Sequence, residues 1–205
     1  PEKSNYYALN GEFLSRLFSI SATAYINNLD NLITSKQVAL TETDIANSIT
    51  KRMEYQNVDK ARVKGVDISI NSYLGYGVSL GGSYSYADAK DTNTDSRLPR
   101  SIKHSGSINS NWNKVWGFYT LNVNLAGRLQ SKRFETGTYG NAPGYQLWNL
   151  STRHTFNNLA NFILEPGIGI ENIFNYRDDR PYNSNYATLS PGRTFYISLL
   201  LKFRK

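Results

Sequence analysis

His104 and His154 are the two histidines of a 205-residue chain that contains no cysteine. They lie far apart with no nucleophile motif beside either, and a Ser/His/acid triad is defined by geometry that spacing alone does not supply. A metal site has little support, with no Cys and no His pair at ligand spacing. Gly75, Gly77, Gly81 and Gly82 imitate a phosphate-binding loop but lack the strand-then-helix context that aims backbone N–H groups at a phosphate. Turn and bulge duty explains them better. The densest recognition chemistry is the stretch holding Tyr176, Arg177, Asp178, Asp179, Arg180, Tyr182 and Tyr186. Aromatic faces with both charge signs can clamp a planar or anionic ligand by stacking and charge-assisted hydrogen bonds. The same Arg and Asp residues would also keep a long loop soluble. The chain is read as a non-enzyme that calls for no cofactor and no metal.

The elements that must position these residues are strands. From Thr194 to Phe203, Phe195, Ile197, Leu199, Leu201 and Phe203 form one row and Thr194, Tyr196, Ser198, Leu200 and Lys202 the other. That is period-two alternation, with an aromatic at each margin of the apolar row, as in a strand that crosses an outer membrane. Reading the whole chain this way gives about nine strands. They are Ser4–Asn10, Leu17–Asn27, Met53–Asn71, Val78–Asp88, Ile102–Trp112, Phe118–Gln130, Tyr145–Phe156, Phe162–Asn172 and Thr194–Phe203. The third changes parity between Val63 and Val66, and a bulge at Lys64 and Gly65 would reconcile the rows. Asp67, Arg128, Arg153, Glu165, Glu171 and Lys202 all fall in polar rows. This is the expected placement, because Lys or Arg on a lipid face at the midplane costs roughly 2–4 kcal/mol. Asp88 and His104 fall in apolar rows at strand ends, and His154 is the least comfortable case. Tyr84, Tyr86, Trp112, Trp148, Phe156, Phe195 and Phe203 read as a membrane girdle.

Short links at Gly11–Arg16, Ser72–Gly77, Asn113–Gly117 and Asn157–Asn161 alternate with long ones at Asn28–Arg52, Ala89–Ser101, Ser131–Gly144 and Ile173–Arg193. Short turns are periplasmic and long loops extracellular in outer-membrane barrels, so the last strand is expected to end in the periplasm. The longest loop, Asn28–Arg52, carries Lys36, Glu42, Asp44 and Lys51 and is a candidate lid or contact for a surface lipoprotein.

Composition agrees. Mean hydropathy is -0.49, and no apolar run reaches the roughly 18 residues of a transmembrane helix. A membrane barrel reads as polar on average because every second residue faces water. The net charge is +7, but Lys and Arg are scattered singly, which argues against a nucleic-acid partner and suits loops and anionic lipid headgroups.

Four stretches carry a family resemblance: PGRTFYISLLLKF at 191–203, GIGIENIFNYRDDRPY at 167–182, PEKSNYYAL at 1–9 and NVDKARVKGVDISI at 57–70. Together, and in this order, they resemble the C-terminal barrel portion of a TonB-dependent outer-membrane receptor. The chain departs from that pattern in continuing with Arg204 and Lys205 past the terminal aromatic. The resemblance implies an all-β transmembrane antiparallel barrel of about 22 strands with a plugged lumen. Residues 1–205 would be its C-terminal share, with the earlier strands and plug upstream. An odd strand count that leaves two edges in hydrocarbon, and the lack of an initiator Met or secretory leader, lead to the same expectation.

By that resemblance the protein takes up a scarce large solute of the iron-siderophore, haem or cobalamin class, driven by a TonB complex acting through the plug. Its surroundings would be outer-membrane lipid and lipopolysaccharide. The expected ligand contacts are Tyr176, Arg177, Asp179, Arg180 and Tyr182, and the expected plug-facing residues are Asp67, Arg128, Arg153, Glu165 and Glu171. The alternatives are a passive porin-like channel and a soluble β-structured surface adhesin.

Overall fold

The computed structural model describes residues 2–50, 52–135, 140–159, 161–178 and 190–203. Its strands are β1 (Lys3–Leu14), β2 (Phe18–Val38), β3 (Arg52–Gly75), β4 (Val78–Asp91), β5 (His104–Trp116), β6 (Tyr119–Gln130), β7 (Tyr145–Leu159), β8 (Phe162–Glu171) and β9 (Thr194–Phe203). They form a single nine-stranded sheet in sequence order, each strand antiparallel to the next. Among the described residues, β1 and β9 each have one neighbour and are the two edges.

The register sorts the side chains into two faces. Rungs such as Ile20↔Ile70↔Gly82↔Ile108↔Gly127↔Trp148 are apolar, whereas Ser21↔Ser69↔Ser83↔Ser107↔Arg128 is polar. On β9 the expected apolar row is highly exposed, with Phe195 at 67%, Ile197 at 83% and Phe203 at 77%. The described chain therefore has little core. Its apolar residues stand on one surface of a single layer, which suits lipid rather than water.

Turns cluster at one edge of the wall and loops at the other. β3 reaches Gly75 and β4 begins at Val78, with Tyr76 at φ 51° and Gly77 at φ 82°. Two central residues at positive φ match the right-handed twist of the flanking strands. A Cβ at Gly77 would run into the Asn113 carbonyl of the next hairpin. At three other sites a ring lies over the glycine opposite it: Tyr25 over Gly65, Trp148 over Gly127 and Tyr196 over Gly169. Each ring fills the gap left by a missing side chain.

Three expectations need correction. First, Asn28–Arg52 is not a plain loop. β2 continues to Val38 and β3 starts at Arg52, with register shifts around Leu32 and Asn31 at φ 58°. The ladder continues past the apolar alternation because its backbone groups still need partners there. A short helix, α1 (Glu42–Ala46), follows at the tip, with a capping box between Thr41 and Asp44. Second, Lys64 and Gly65 hold no bulge: Ile26↔Lys64 and Tyr25↔Gly65 are in unbroken register. Ala61 and Val63 simply sit on the polar face, where neighbours cover Ala61 to 1% exposure, so the environment changed rather than the face. Third, the turns are tighter than expected, because β5 reaches Trp116 and β7 reaches Leu159.

Candidate functional site

The polar face is a continuous hydrogen-bonding surface. Ser21 and Ser69 hydroxyls meet at 2.8 Å and those of Ser83 and Ser107 at 2.7 Å. Asp67 accepts from the Ser85 hydroxyl at 2.5 Å. Toward the turns, the Asn111 and Asn122 amides bond reciprocally at 3.2 Å, and Asn124 donates to Asn109 at 3.4 Å. A hollow of about 600 Å³ on this face is lined by Thr23, Asp67, Ser83, Ser105, Arg128 and Gln130, among others. Such a surface can hold another polar surface or a chain of water.

The five expected plug-facing charges all fall on this face. Arg128 stands opposite Ser107 and Leu147, and Asp67 stands one rung nearer the loops. Arg153 lies opposite Asn122 and Gly167. Asp67, Arg128, Arg153 and Glu171 are exposed. Glu165 is buried at 8% and accepts from Lys202 Nζ at 2.7 Å. The structure thus divides the five into four presented charges and one spent within the wall.

The loop after β8 is organised by a residue that sequence reasoning passed over. Asn172, 4% exposed and at φ 52°, donates from Nδ2 to the Tyr176 carbonyl at 2.7 Å and the Pro191 carbonyl at 3.0 Å. Its Oδ1 accepts from the Tyr176 N–H at 2.8 Å, and Asn149 Oδ1 accepts from its own N–H at 2.9 Å. Asn172 therefore ties the two ends of the loop together. Asn and Asp are enriched among non-glycine residues at positive φ, so an Asn directly after a strand was the available signal.

Of the expected ligand contacts, Tyr176 packs its ring 5.8 Å from that of Tyr145, and the exposed Arg177 lies against Gly192. Asp179, Arg180 and Tyr182 lie outside the described residues.

Both histidines fall on the apolar face, beside tyrosines. Tyr84 Oη and His104 Nδ1 are 2.7 Å apart at the loop end, and Tyr119 Oη and His154 Nδ1 are 2.7 Å apart at the turn end. The discomfort of His154 is thereby resolved. Thr152 offers it a second contact at 3.3 Å, and Tyr119 stacks on Trp116 within the turn-end aromatic cluster.

The family model for TonB dependent receptor-like β-barrels matches residues 1–195. The chain belongs to that family. TonB-dependent receptor barrels sit in the outer membrane, and the exposed apolar face described above suits the lipid that such a wall meets.

Solved structures agree in fold. The ferric preacinetobactin receptor BauA of Acinetobacter baumannii superposes with a TM-score of 0.72 at 17% identity, over 97% of this chain and 29% of that one. The copper transporter OprC gives 0.70 at 16%, over 97% and 32%. A mutant of the ferric enterobactin receptor PfeA from Pseudomonas aeruginosa gives 0.66 at 21%, over 97% and 31%. This TonB-dependent receptor barrel chain thus spans under a third of the length of each of these proteins.

Proposed function

We propose that the chain is the C-terminal wall of a receptor barrel of roughly 22 strands. The whole polypeptide takes up a scarce large solute of the iron-siderophore, haem or cobalamin class, with energy from a TonB complex acting on a plug in the lumen. The observation carrying this reading is the two-faced wall whose edge strands, β1 and β9, are each paired on one side among the described residues. Unpaired backbone groups in hydrocarbon cost several kcal/mol each, so further strands must close the wall. The siderophore class is favoured by neighbours such as the ferric preacinetobactin and ferric enterobactin receptors.

The residues take roles accordingly. Asp67, Arg128, Arg153 and Glu171 present charge to the plug, while Glu165 braces the wall behind them. Tyr176, Arg177, Asp179, Arg180 and Tyr182 contact the solute from the loop that Asn172 anchors. The long-loop end faces outward and the β9 terminus the periplasm, the usual arrangement of outer-membrane barrels. Outer-membrane lipid and lipopolysaccharide surround the apolar face, and the β2–β3 hairpin with α1 at its tip is the element best placed to meet a surface lipoprotein.

The test is uptake of labelled ferric chelates, haem and cobalamin by cells carrying the whole receptor, with and without TonB. Saturable uptake of one of them that disappears without TonB is expected. Uptake that persists without TonB would instead support a passive channel.

A further inference from the structure

Apart from glycines, the buried apolar residues among the described ones are Ala61, Ala89, Ala142 and Tyr145, and all four sit at the loop end of the wall. Two loops pack down there. The β4–β5 loop, residues 92–103, turns back on the wall, with the Leu98 N–H on the Ala89 carbonyl at 3.0 Å. It is stitched to the loop between β6 and β7. The Arg100 N–H donates to the Phe134 carbonyl at 2.7 Å, the Phe134 N–H to the Ser101 carbonyl at 2.9 Å, and Arg133 and Ala142 exchange two backbone bonds at 3.1 Å. Arg97 locks the joint, donating from Nε to Ser101 Oγ at 3.0 Å and from Nη2 to the Ser101 carbonyl at 3.2 Å. Its guanidinium lies 5.4 Å from the centre of the Phe134 ring. A loop pair held this way is organised before any solute arrives.

The joint is basic. The two loops carry Arg97, Arg100, Lys103, Lys132 and Arg133 against Asp95 and Glu135. Asp95 pairs with Lys90 of β4 at 2.9 Å, and Glu135 lies 4.0 Å from Arg100. Arg100 holds φ 64°, a conformation that favours Gly, Asn or Asp and strains a long side chain. That side chain is 63% exposed, so packing does not offset the strain. Backbone strain at an exposed cation points to function rather than to stability. The joint also borders the surfaces described above. Ile102 and Gln130 line the polar hollow with Arg128, Tyr145 Oη donates to Gln130 at 3.2 Å, and the Tyr176 ring packs on Tyr145.

We propose that this joint is a preformed anion-binding rim, and that the solute reaches the receptor as an anionic ferric chelate of the catecholate or carboxylate kind. Arg97, Arg100, Lys132 and Arg133 meet its negative oxygens by charge-assisted hydrogen bonds, and the net positive charge of the joint draws it in. This rests on the uptake reading above, with the loop end outward, and narrows its solute class. Neutral cobalamin and cationic hydroxamate chelates fall outside it.

The experiment measures binding of four probes to the whole purified receptor: a ferric tris(catecholate), ferric citrate, a ferric tris(hydroxamate) bearing a free ammonium group, and cyanocobalamin. One of the two anionic chelates is expected to bind most tightly, with an association rate that falls about tenfold from low to high salt, as for a steered encounter. Arg100→Gly and Lys132→Gln should each weaken it about tenfold, the lower end of what a hydrogen bond to a charged group contributes. Because Arg100→Gly relieves the strain while removing the charge, the loop should resist proteolysis at least as well as wild type while affinity falls. Were Arg100 only structural, affinity would stay.

Tighter binding of the cationic or neutral probe, no binding of either anionic chelate, or unchanged affinity in both variants would overturn the rim. Uptake is read separately, in cells carrying the whole receptor with and without TonB. Saturable binding of an anionic chelate that falls in the variants, with entry that does not need TonB, would overturn the uptake reading alone. TonB-dependent entry of a neutral or cationic solute, unaffected by the variants, would overturn the rim alone.

Discussion

Lys202 on β9 and Glu165 on β8 form a 2.7 Å ion pair on the polar face, with the carboxylate side chain 9% exposed and the lysine side chain 52%. The pair is diagonal, since Glu165 stands opposite Leu200 and Lys202 opposite Ile163. It joins the terminal strand to its one neighbour, and the asymmetric exposure makes Lys202 the partner whose loss matters more. Lys202→Met would leave a buried carboxylate without its counter-charge, a loss of about 1–3 kcal/mol after allowing for the exposed lysine head. The double variant Lys202→Met/Glu165→Leu should recover part of it. Guanidinium unfolding of the receptor checks the order, and equal losses in the two variants would contradict it.

Asn172 gives a prediction about the loop rather than the wall. Asn172→Gly keeps the positive φ but removes the side chain from the Tyr176 and Pro191 backbones. Each buried group left unpaired costs about 1–3 kcal/mol. Limited proteolysis should therefore cut between residues 173 and 193 faster than in wild type, with the melting temperature of the barrel little changed. Unaltered cleavage would mean the loop is held elsewhere.

The hairpin between β3 and β4 separates two costs of replacing glycine. Gly75, at φ 84°, has open space around it, whereas a Cβ at Gly77, at φ 82°, would meet the Asn113 carbonyl. Gly75→Ala should cost only the backbone strain of about 1–2 kcal/mol. Gly77→Ala adds a clash with a neighbouring hairpin and should lower the fraction that migrates as folded barrel in semi-native electrophoresis. Equal yields from the two variants would show that the hairpins yield to one another.

Acid should loosen α1 before the barrel. The Thr41 backbone N–H and hydroxyl, followed by Arg52, hold the Asp44 carboxyl below the ordinary carboxylate range. A depressed pKa gives stability that is present above the unfolded-state value, about 3.9, and lost as pH falls through the folded one. A spin label at Ser48 should therefore keep its mobility from neutral pH to about pH 4 and gain mobility below that. Asp44→Asn should remove the acid transition.

The four charges presented on the polar face predict a change in conductance. If Asp67, Arg128, Arg153 and Glu171 hold a plug, replacing all four by Ala in the whole receptor should raise passive conductance in planar bilayers. The control is Lys202→Met, which removes the charge paired with Glu165 and leaves those four in place. Unchanged conductance in the quadruple variant would remove the plug role from these residues.

The alternation in the sequence determined which residues share a face, because a side-chain period of two survives any curvature of the sheet. Hence β9 runs over the residues expected, the girdle aromatics fall on the apolar face, and Asp67, Arg128, Arg153, Glu165 and Glu171 share the polar one. Alternation ends where lipid ends, so it could not show that β2 and β3 continue as a paired hairpin from Leu29 to Val38, nor that Val63 keeps its face while its surroundings change. Only the tertiary register brought Lys202 to Glu165, Tyr84 to His104 and the Trp148 ring over Gly127, since each pairing depends on which rung of one strand meets which rung of the next. Asn172 belongs to this second group, because its role exists only where both ends of a long loop return to one point.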